Sequence, residues 1–478
     1  MNPVDLAFTP ALEQAHWIRT KKISPLELTE LYLDRIELLN PRLGSYFTVM
    51  AEQAIADAKQ KTEQLTTHSE DLPAFFGVPI SIKDLNPIAG VPCSYGLAAA
   101  RNRIAKDSDA LVTRICQAGF TVLGKTATSQ LGSFPYTEPP GFPPARNPWN
   151  PEHTPGGSSG GAASALAAGL CAIAQGSDGG GSIRGPAFCC GLVGMKPSRG
   201  RISFAPVGER LEGMATNGPL GRTVADTAAL LDVMSGYVLG DPYWLPPPAT
   251  SFLNATKTDP APMKVGFLTG LPPIGEAESE CQQAVLDTAK HLEALGHTVI
   301  EAPSPDLTDL IEPFTTAWQC IVAESNVPFF VMEKMNRWLL WRAWQVGSGA
   351  YLRAVSQLEL VARRIVTHLH PYDIVLLPVY MSPAIRIGEW KSLRCAKTLE
   401  NIIQWISPCP PFNASGQPAI AIPTGFTKTG LPLGVQLVGR PAADETVLAL
   451  AAQLERAHPW HHHRPPLATS DPNIASWQ

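Results

Sequence analysis

Two segments of the chain combine serine with a run of glycine. One is Gly156-Gly157-Ser158-Ser159-Gly160-Gly161 and the other is Gly179-Gly180-Gly181-Ser182. Glycine loses more conformational freedom on folding than any other residue. It is kept where φ must be positive or where another group must come close. Three successive glycines can turn their amide N–H groups toward one point, and such a nest beside a reacting carbonyl is an oxyanion hole. Gly179, Gly180 and Gly181 would form the hole, with Ser182 beside it to attack the carbonyl. Gly180 is expected to hold a backbone conformation that an added Cβ would oppose. A serine hydroxyl is a weak nucleophile at neutral pH and needs a base. Ser158 can pass the proton on but cannot keep it. A neutral lysine can, and burial lowers a lysine pKa. Lys83 stands near the end of the apolar run "GVPISIKDL" and is the candidate. The plainer reading makes Lys83 an ion-pair partner of Asp84 and the glycines ordinary turns.

Two other chemistries compete for these residues. "GFTVLGKT", residues 119–126, matches the G-x-x-x-x-G-K-[ST] phosphate loop. That loop needs a strand before its first glycine and a flexible interior. Here the interior is strand-forming and a helix precedes it, so a buried strand fits better. The first cluster also satisfies G-x-S-x-G, the nucleophile elbow of α/β-hydrolases, and histidines follow it at 291, 297, 368, 370, 458 and 461–463. No HGGG-type segment precedes the cluster, and the elbow gives no reason for the second cluster. "HPWHHHR", residues 458–464, lacks the ligand spacing of a closed metal site, so no metal is expected.

The stretch "TPGGSSGGAASALAAGLCAIAQGSDGGGSIRGPAFCCGLVGMKPSRGRIS" resembles the signature of the amidase signature family. "GVPISIKDL" is similar to that family's lysine strand, and "GQPAIAIPTGF" with "GLPLGVQLVGRP" to its C-terminal half. The resemblance spans roughly residues 10–225 and 405–460. It implies a Lys–cis-Ser–Ser triad of Lys83 as base, Ser158 as bridge through a cis Gly157–Ser158 peptide, and Ser182 as acyl-enzyme nucleophile. It also implies supporting roles for Ser159 and for the polar pair Asp178 and Arg184. The chain departs from the family pattern at Gly179, where a larger residue is usual, in "GMKPS", and in Cys189 beside the expected Cys190.

These residues need elements to hold them. Ser24, Pro25 and Glu27 form a helix-start signature, and Leu28, Leu31, Tyr32, Ile36 and Leu39 then recur at helical spacing. Strands are expected within "FFGVPISIKDL", where the strand carries Lys83, and at "FTVLGKT", "MKVGFL", "HTVIEA", "YDIVLLPV", "PAIAIPTGF" and "PLGVQLVG". Helices are expected near 108–117, 278–295, across much of 312–364 and at "DETVLALAAQLERA". The small apolar run Ala162–Ala174 reads as one buried helix between the two clusters. Alternating strands and helices predict an α/β fold. The resemblance adds the form: a large mixed twisted sheet covered by helices on both faces, in a single amidase domain over 1–478. Within it, the signature core is placed at about 75–225 and a variable, substrate-shaping region at about 235–405. The chain then returns to the sheet over 406–460.

The 478 residues carry a formal net charge of −5, with 45% hydrophobic and 17% charged residues. No basic run or stripe suggests nucleic acid as a partner. No stretch has the length and hydrophobicity of a membrane span, and the N-terminus lacks the pattern of a signal peptide. Nine cysteines without C-x-x-C pairs suggest free thiols and a cytoplasmic location. The expected activity is hydrolysis of a linear carboxamide through an acyl-serine, without cofactor, acting on a small to medium amide with an apolar or aryl acyl part. Trp318, Trp338, Trp341, Trp344 and Trp405 lie where an acyl pocket would be shaped. The glutaminase component of a tRNA-dependent amidotransferase and a non-catalytic binding protein stay open as alternatives, as does assembly into a homo-oligomer.

Overall fold

In the computed structural model, residues 2–67 and 72–469 are described. The strands in chain order are β1 (Tyr46–Val49), β2 (Pro79–Lys83), β3 (Thr121–Thr126), β4 (Ile173–Asp178), β5 (Val193–Lys196), β6 (Thr216–Gly221), β7 (Lys264–Phe267), β8 (Gly270–Leu271), β9 (Gly275–Glu276), β10 (Thr298–Glu301), β11 (Ile374–Pro378), β12 (Ala419–Phe426) and β13 (Pro432–Gly439). Eleven of them build one mixed sheet in the order β1-β3-β2-β4-β6-β5-β12-β13-β11-β7-β10, while β8 and β9 pair separately. The strands after the Pro-rich stretch near residue 245 therefore rejoin the sheet that the signature region begins. β12 and β13 sit in its middle, between β5 and β11.

The sheet is covered on both faces, as the buried strand sequences require. Along β11, Ile374 and Leu376 belong to one apolar cluster, whereas Val375 and Leu377 belong to another. Successive side chains of a strand point to opposite faces, so each face has its own helical cover. The Ser24 hydroxyl and Glu27 carboxylate close the expected capping box on the helix Pro25–Leu43, which buries Leu28, Tyr32, Ile36 and Leu39.

The run Ala162–Ala174 is not one helix. The helix Gly160–Ala167 stops, the chain reverses at Gly169 (φ +66°), and β4 begins at Ile173. The Leu170 amide donates to the Ala165 carbonyl at 2.8 Å, the outer bond of a glycine-terminated helix end. Local apolarity could not distinguish helix from strand here. The positive φ at Gly169 decided it.

Candidate active site

β2 and β4 are parallel neighbours, with Ile80 opposite Ile173 and Ser81 opposite Ala174. Their C-terminal ends therefore lie side by side at one edge of the sheet, where open α/β sheets place their ligands. Lys83 ends β2, and Ser177 and Asp178 end β4. Ser158 and Ser159 precede the helix Gly160–Ala167, and Ser182 precedes the helix Arg184–Cys190. The Ser159 amide donates to the Ser182 carbonyl at 3.3 Å, which ties the two clusters together. The Gly157–Ser158 peptide is cis. A Cβ on Gly157 would lie 2.5 Å from the Tyr136 nitrogen and 2.7 Å from the Phe134 carbonyl oxygen, so only glycine fits against that backbone.

The Lys83 amine is fully buried and donates to Ser158 Oγ and Ser159 Oγ, both at 2.8 Å. It also reaches Ser177 Oγ at 3.0 Å and the Ser177 carbonyl at 3.3 Å. Burial pushes its pKa down to about 7, against the opposing pull of the Asp178 carboxylate. The alternative pairing with Asp84 does not occur. Neighbouring strand residues face opposite ways, and Asp84 bonds instead to the buried Lys125 Nζ at 3.0 Å. Lys125 is the lysine of the "GKT" match, and it lies inside β3, so the phosphate-loop reading falls on the same contact.

Asp178 organises the second cluster. Its carboxylate accepts from the amides of Gly181 at 2.7 Å and Ile183 at 3.1 Å. Arg184 grips it through Nη2 and Nε, each at 3.0 Å, and Asn413 Nδ2 donates to it at 2.9 Å. Burial alone would raise the Asp178 carboxyl, but Arg184 and Asn413 outweigh it and hold it well below the usual carboxylate range. Arg184 also donates to the Cys409 carbonyl, Gln436 Oε1 and Asn413 Oδ1. The amide of Gly181 is thus committed to Asp178 and is not turned to a shared point with the others. Gly180 differs from expectation as well. A Cβ there would meet Phe314 at 3.5 Å, an ordinary contact, and the left-handed residue is Gly181 (φ +122°).

Gly180 and Ser182 line a cavity closed by Phe134, Phe314, Trp318, Met335, Leu339 and Ile402, among other apolar residues. None of its described lining residues is charged. Of the five tryptophans expected near an acyl pocket, Trp318 alone reaches it. Trp405 is buried against Tyr380 and Trp390, Trp338 packs on the cluster of Phe134, Met335, Leu339 and Ile402 without lining the cavity itself, and Trp341 and Trp344 are 54% and 64% exposed. The space that a larger residue would fill at position 179 is taken by Leu211, whose Cδ1 lies 2.5 Å from where a Cβ would stand, with Trp318 behind it. The histidine-rich segment lies away from this cavity, and no group of metal-ligating side chains occurs among the described residues.

A family model described as Amidase matches residues 27–448. The chain belongs to the amidase family. This amidase is 51% identical over 454 residues to a Synechocystis sp. protein described as a candidate amidase, which covers 95% of this chain and 89% of that protein. It superposes on a solved 6-aminohexanoate cyclic dimer hydrolase in complex with substrate with a TM-score of 0.90 and 32% identity, covering 97% and 99% of the two chains. A solved structure described simply as an amidase gives a TM-score of 0.80 and 27% identity over 94% of this chain and 100% of that one. The amidase is thereby a hydrolase of amide C–N bonds with the family's large mixed sheet. Among its described residues no helix is long and apolar enough to cross a membrane.

Sequence reasoning placed Lys83, Ser158, Ser159 and Ser182 around one site, and the structure brings them together there. It missed Ser177, Asn413 and Gln436. Ser177 had a local signal, since it lies within "QGSDGGGS" itself. Asn413 and Gln436 come from more than 200 positions away in the chain and had none.

Proposed function

We propose that this amidase hydrolyses linear carboxamides with an apolar or aryl acyl group through an acyl-Ser182 intermediate. The observation that carries the reading is the buried Lys83 amine on the Ser158 hydroxyl beside an apolar cavity that Ser182 lines. Ser182 attacks the carbonyl carbon, its proton moves to Ser158, and the proton of Ser158 moves to neutral Lys83. The amides of Gly180 and Ser182 receive the developing oxyanion, with Gly179 beside them and Gly181 held by Asp178 as the bracket of the turn. Asp178, Arg184 and Ser159 keep these groups in place. Collapse of the tetrahedral adduct returns the proton through Ser158 to the leaving nitrogen, and water repeats the cycle on the acyl-enzyme.

The cavity supports an apolar acyl part because its lining offers no counter-charge. Transfer of an unpaired charge into such surroundings is strongly unfavourable. The same feature weighs against glutamine, whose α-ammonium and α-carboxylate would both enter unpaired. The segment "VGSGAYLRAV" also stands apart from the cavity, where it starts the helix Ser348–Leu369. The nine free cysteines suit a reducing, cytoplasmic compartment, and the whole chain is read as one amidase domain. Incubation with a fluorophosphonate followed by peptide mass spectrometry is expected to place the adduct on Ser182. An adduct on Ser158 or Ser159 would overturn the assignment. A panel of amides sharing one amine is expected to rank aryl and alkyl acyl groups above charged ones.

A further inference from the structure

We propose that the Ser177 hydroxyl is a positioning group for Lys83, supplying the third oxygen that receives the lysine ammonium when it takes up the proton. The inference rests on the reading of Lys83 as the base.

A lysine ammonium has three N–H donors and no acceptor, while the neutral amine has two donors and a lone pair. Three hydroxyl oxygens lie within hydrogen-bond reach of Nζ: Ser158 at 2.8 Å, Ser159 at 2.8 Å and Ser177 at 3.0 Å. The fourth neighbour, the Ser177 carbonyl at 3.3 Å, is longer. Ser159 is committed on its other sides. Its hydroxyl donates to the Ser177 carbonyl at 3.2 Å and its oxygen accepts from the Ser177 amide at 3.3 Å. Toward Lys83 it acts as an acceptor only. If the neutral amine rests its two N–H groups on Ser159 and Ser177, its lone pair faces Ser158, the one hydroxyl that must give up a proton.

The step balances without any outside reactant. The Ser182 O–H bond breaks as its oxygen bonds to the carbonyl carbon, and the C=O π pair moves onto oxygen. Ser158 gains that proton and loses its own to the Lys83 lone pair. The ammonium so formed then has three hydroxyl acceptors, one for each N–H. Ser177 is placed for this by the register of the sheet, since β2 and β4 run parallel and end together. The charged groups around Lys83 are Asp178 from the end of β4 and its partner Arg184 from the next helix. Asp84, the following residue, is engaged by Lys125 of β3.

The test compares wild type, Ser177→Ala and Ser177→Thr, with kcat for one amide measured from pH 5 to 10. Removing the hydroxyl withdraws an acceptor from the charged form and so lowers the Lys83 pKa. In Ser177→Ala the rising limb is expected to move about one pH unit to lower pH, with a plateau about tenfold lower, the scale of one hydrogen bond to a charged group. Ser177→Thr, which keeps a hydroxyl, is expected to restore both. An unchanged thermal midpoint shows that the fold is intact. If Ser177→Ala does not fold, Ser177→Gly removes the same hydroxyl and carries the comparison. A limb that stays in place in the hydroxyl-free variant overturns the inference, even if the rate falls. Failure of the underlying reading looks different: wild type would show no limb, and Lys83→Ala would keep its activity.

Discussion

At the scale of the residue, the proposed chemistry turns on one buried amine. Lys83 is held without a directly bonded carboxylate, because Asp84 is engaged by Lys125 and Asp178 by Arg184. Desolvation therefore wins, and its pKa falls to about 7. A general base works when unprotonated, so kcat/KM is expected to rise with pH through about 7 and level off in the mildly alkaline range. Steady-state kinetics with chemistry shown to be rate-limiting check this, and a rate flat from pH 5 to 10 would remove Lys83 as the titrating base. In the proposed mechanism the lysine also has a second duty. An amide nitrogen leaves poorly without a proton, whereas an ester alkoxide leaves more readily. Lys83→Ala is therefore expected to reduce amide hydrolysis more than hydrolysis of the ester with the same acyl group. Equal losses in kcat/KM on both substrates would refute the return of the proton through Ser158.

At the scale of the element, the turn between β4 and the helix Arg184–Cys190 carries the amides proposed to receive the oxyanion and depends on different glycines for different reasons. Gly181 has φ +122°, and a Cβ there would stand 2.8 Å from the Cys409 Cβ. Its conformation and its neighbour both require glycine. Gly180 has ordinary room, and its missing side chain opens toward Phe314 and Trp318 in the cavity. Gly181→Ala is thus expected to lower stability by about 1–3 kcal/mol and turnover by about two orders of magnitude, as when an oxyanion donor is misplaced. Gly180→Ala is expected to fold normally and to raise KM for bulky acyl groups more than it lowers kcat. Thermal unfolding together with kcat and KM for a small and a large acyl substrate separates the two. Equal behaviour of the variants would show that the turn is uniform. The glycine-rich character of this turn was legible from its composition, but which glycine bears the strain was not. That depends on Cys409, whose approach no local pattern announces.

At the scale of the whole molecule, the site is assembled across the chain. Arg184 is braced by the Cys409 carbonyl, Asn413 and Gln436, and β5 finds its outer neighbour in β12. A fragment of residues 1–250 would leave the β5 edge unpaired and Arg184 without those partners. It is expected to show no cooperative unfolding transition, and limited proteolysis and circular dichroism would check this. A cooperative transition would mean that the signature half folds alone. The contrast between halves explains what could be read in advance. Lys83, Ser158 and Ser182 were identifiable because glycine clusters and a lysine closing an apolar run have a local chemical meaning. β2, β3, β7 and β10 to β13 were identifiable as apolar runs, whereas β1, β4, β5 and β6 had no such signal. The helix at Ser24 was identifiable because its capping residues are close in sequence. Four things needed the tertiary structure: the pairing of Asp84 with Lys125 rather than Lys83, the end of the helix at Ala167, the choice of Trp318 alone from five tryptophans, and the approach of Ser177 to the lysine. The helix end is set by the left-handed turn at Gly169, and the other three by strand register or by a contact between distant segments. The sequence by itself determined which groups could react. Only the packing of parallel β2 against β4, with the C-terminal strands β12 and β13 inserted in the middle of the sheet, decided which of them meet and which are neutralised by another partner. A side chain's charge and hydrogen bonds are fixed by its neighbours in space, and the order of residues along the chain does not state them.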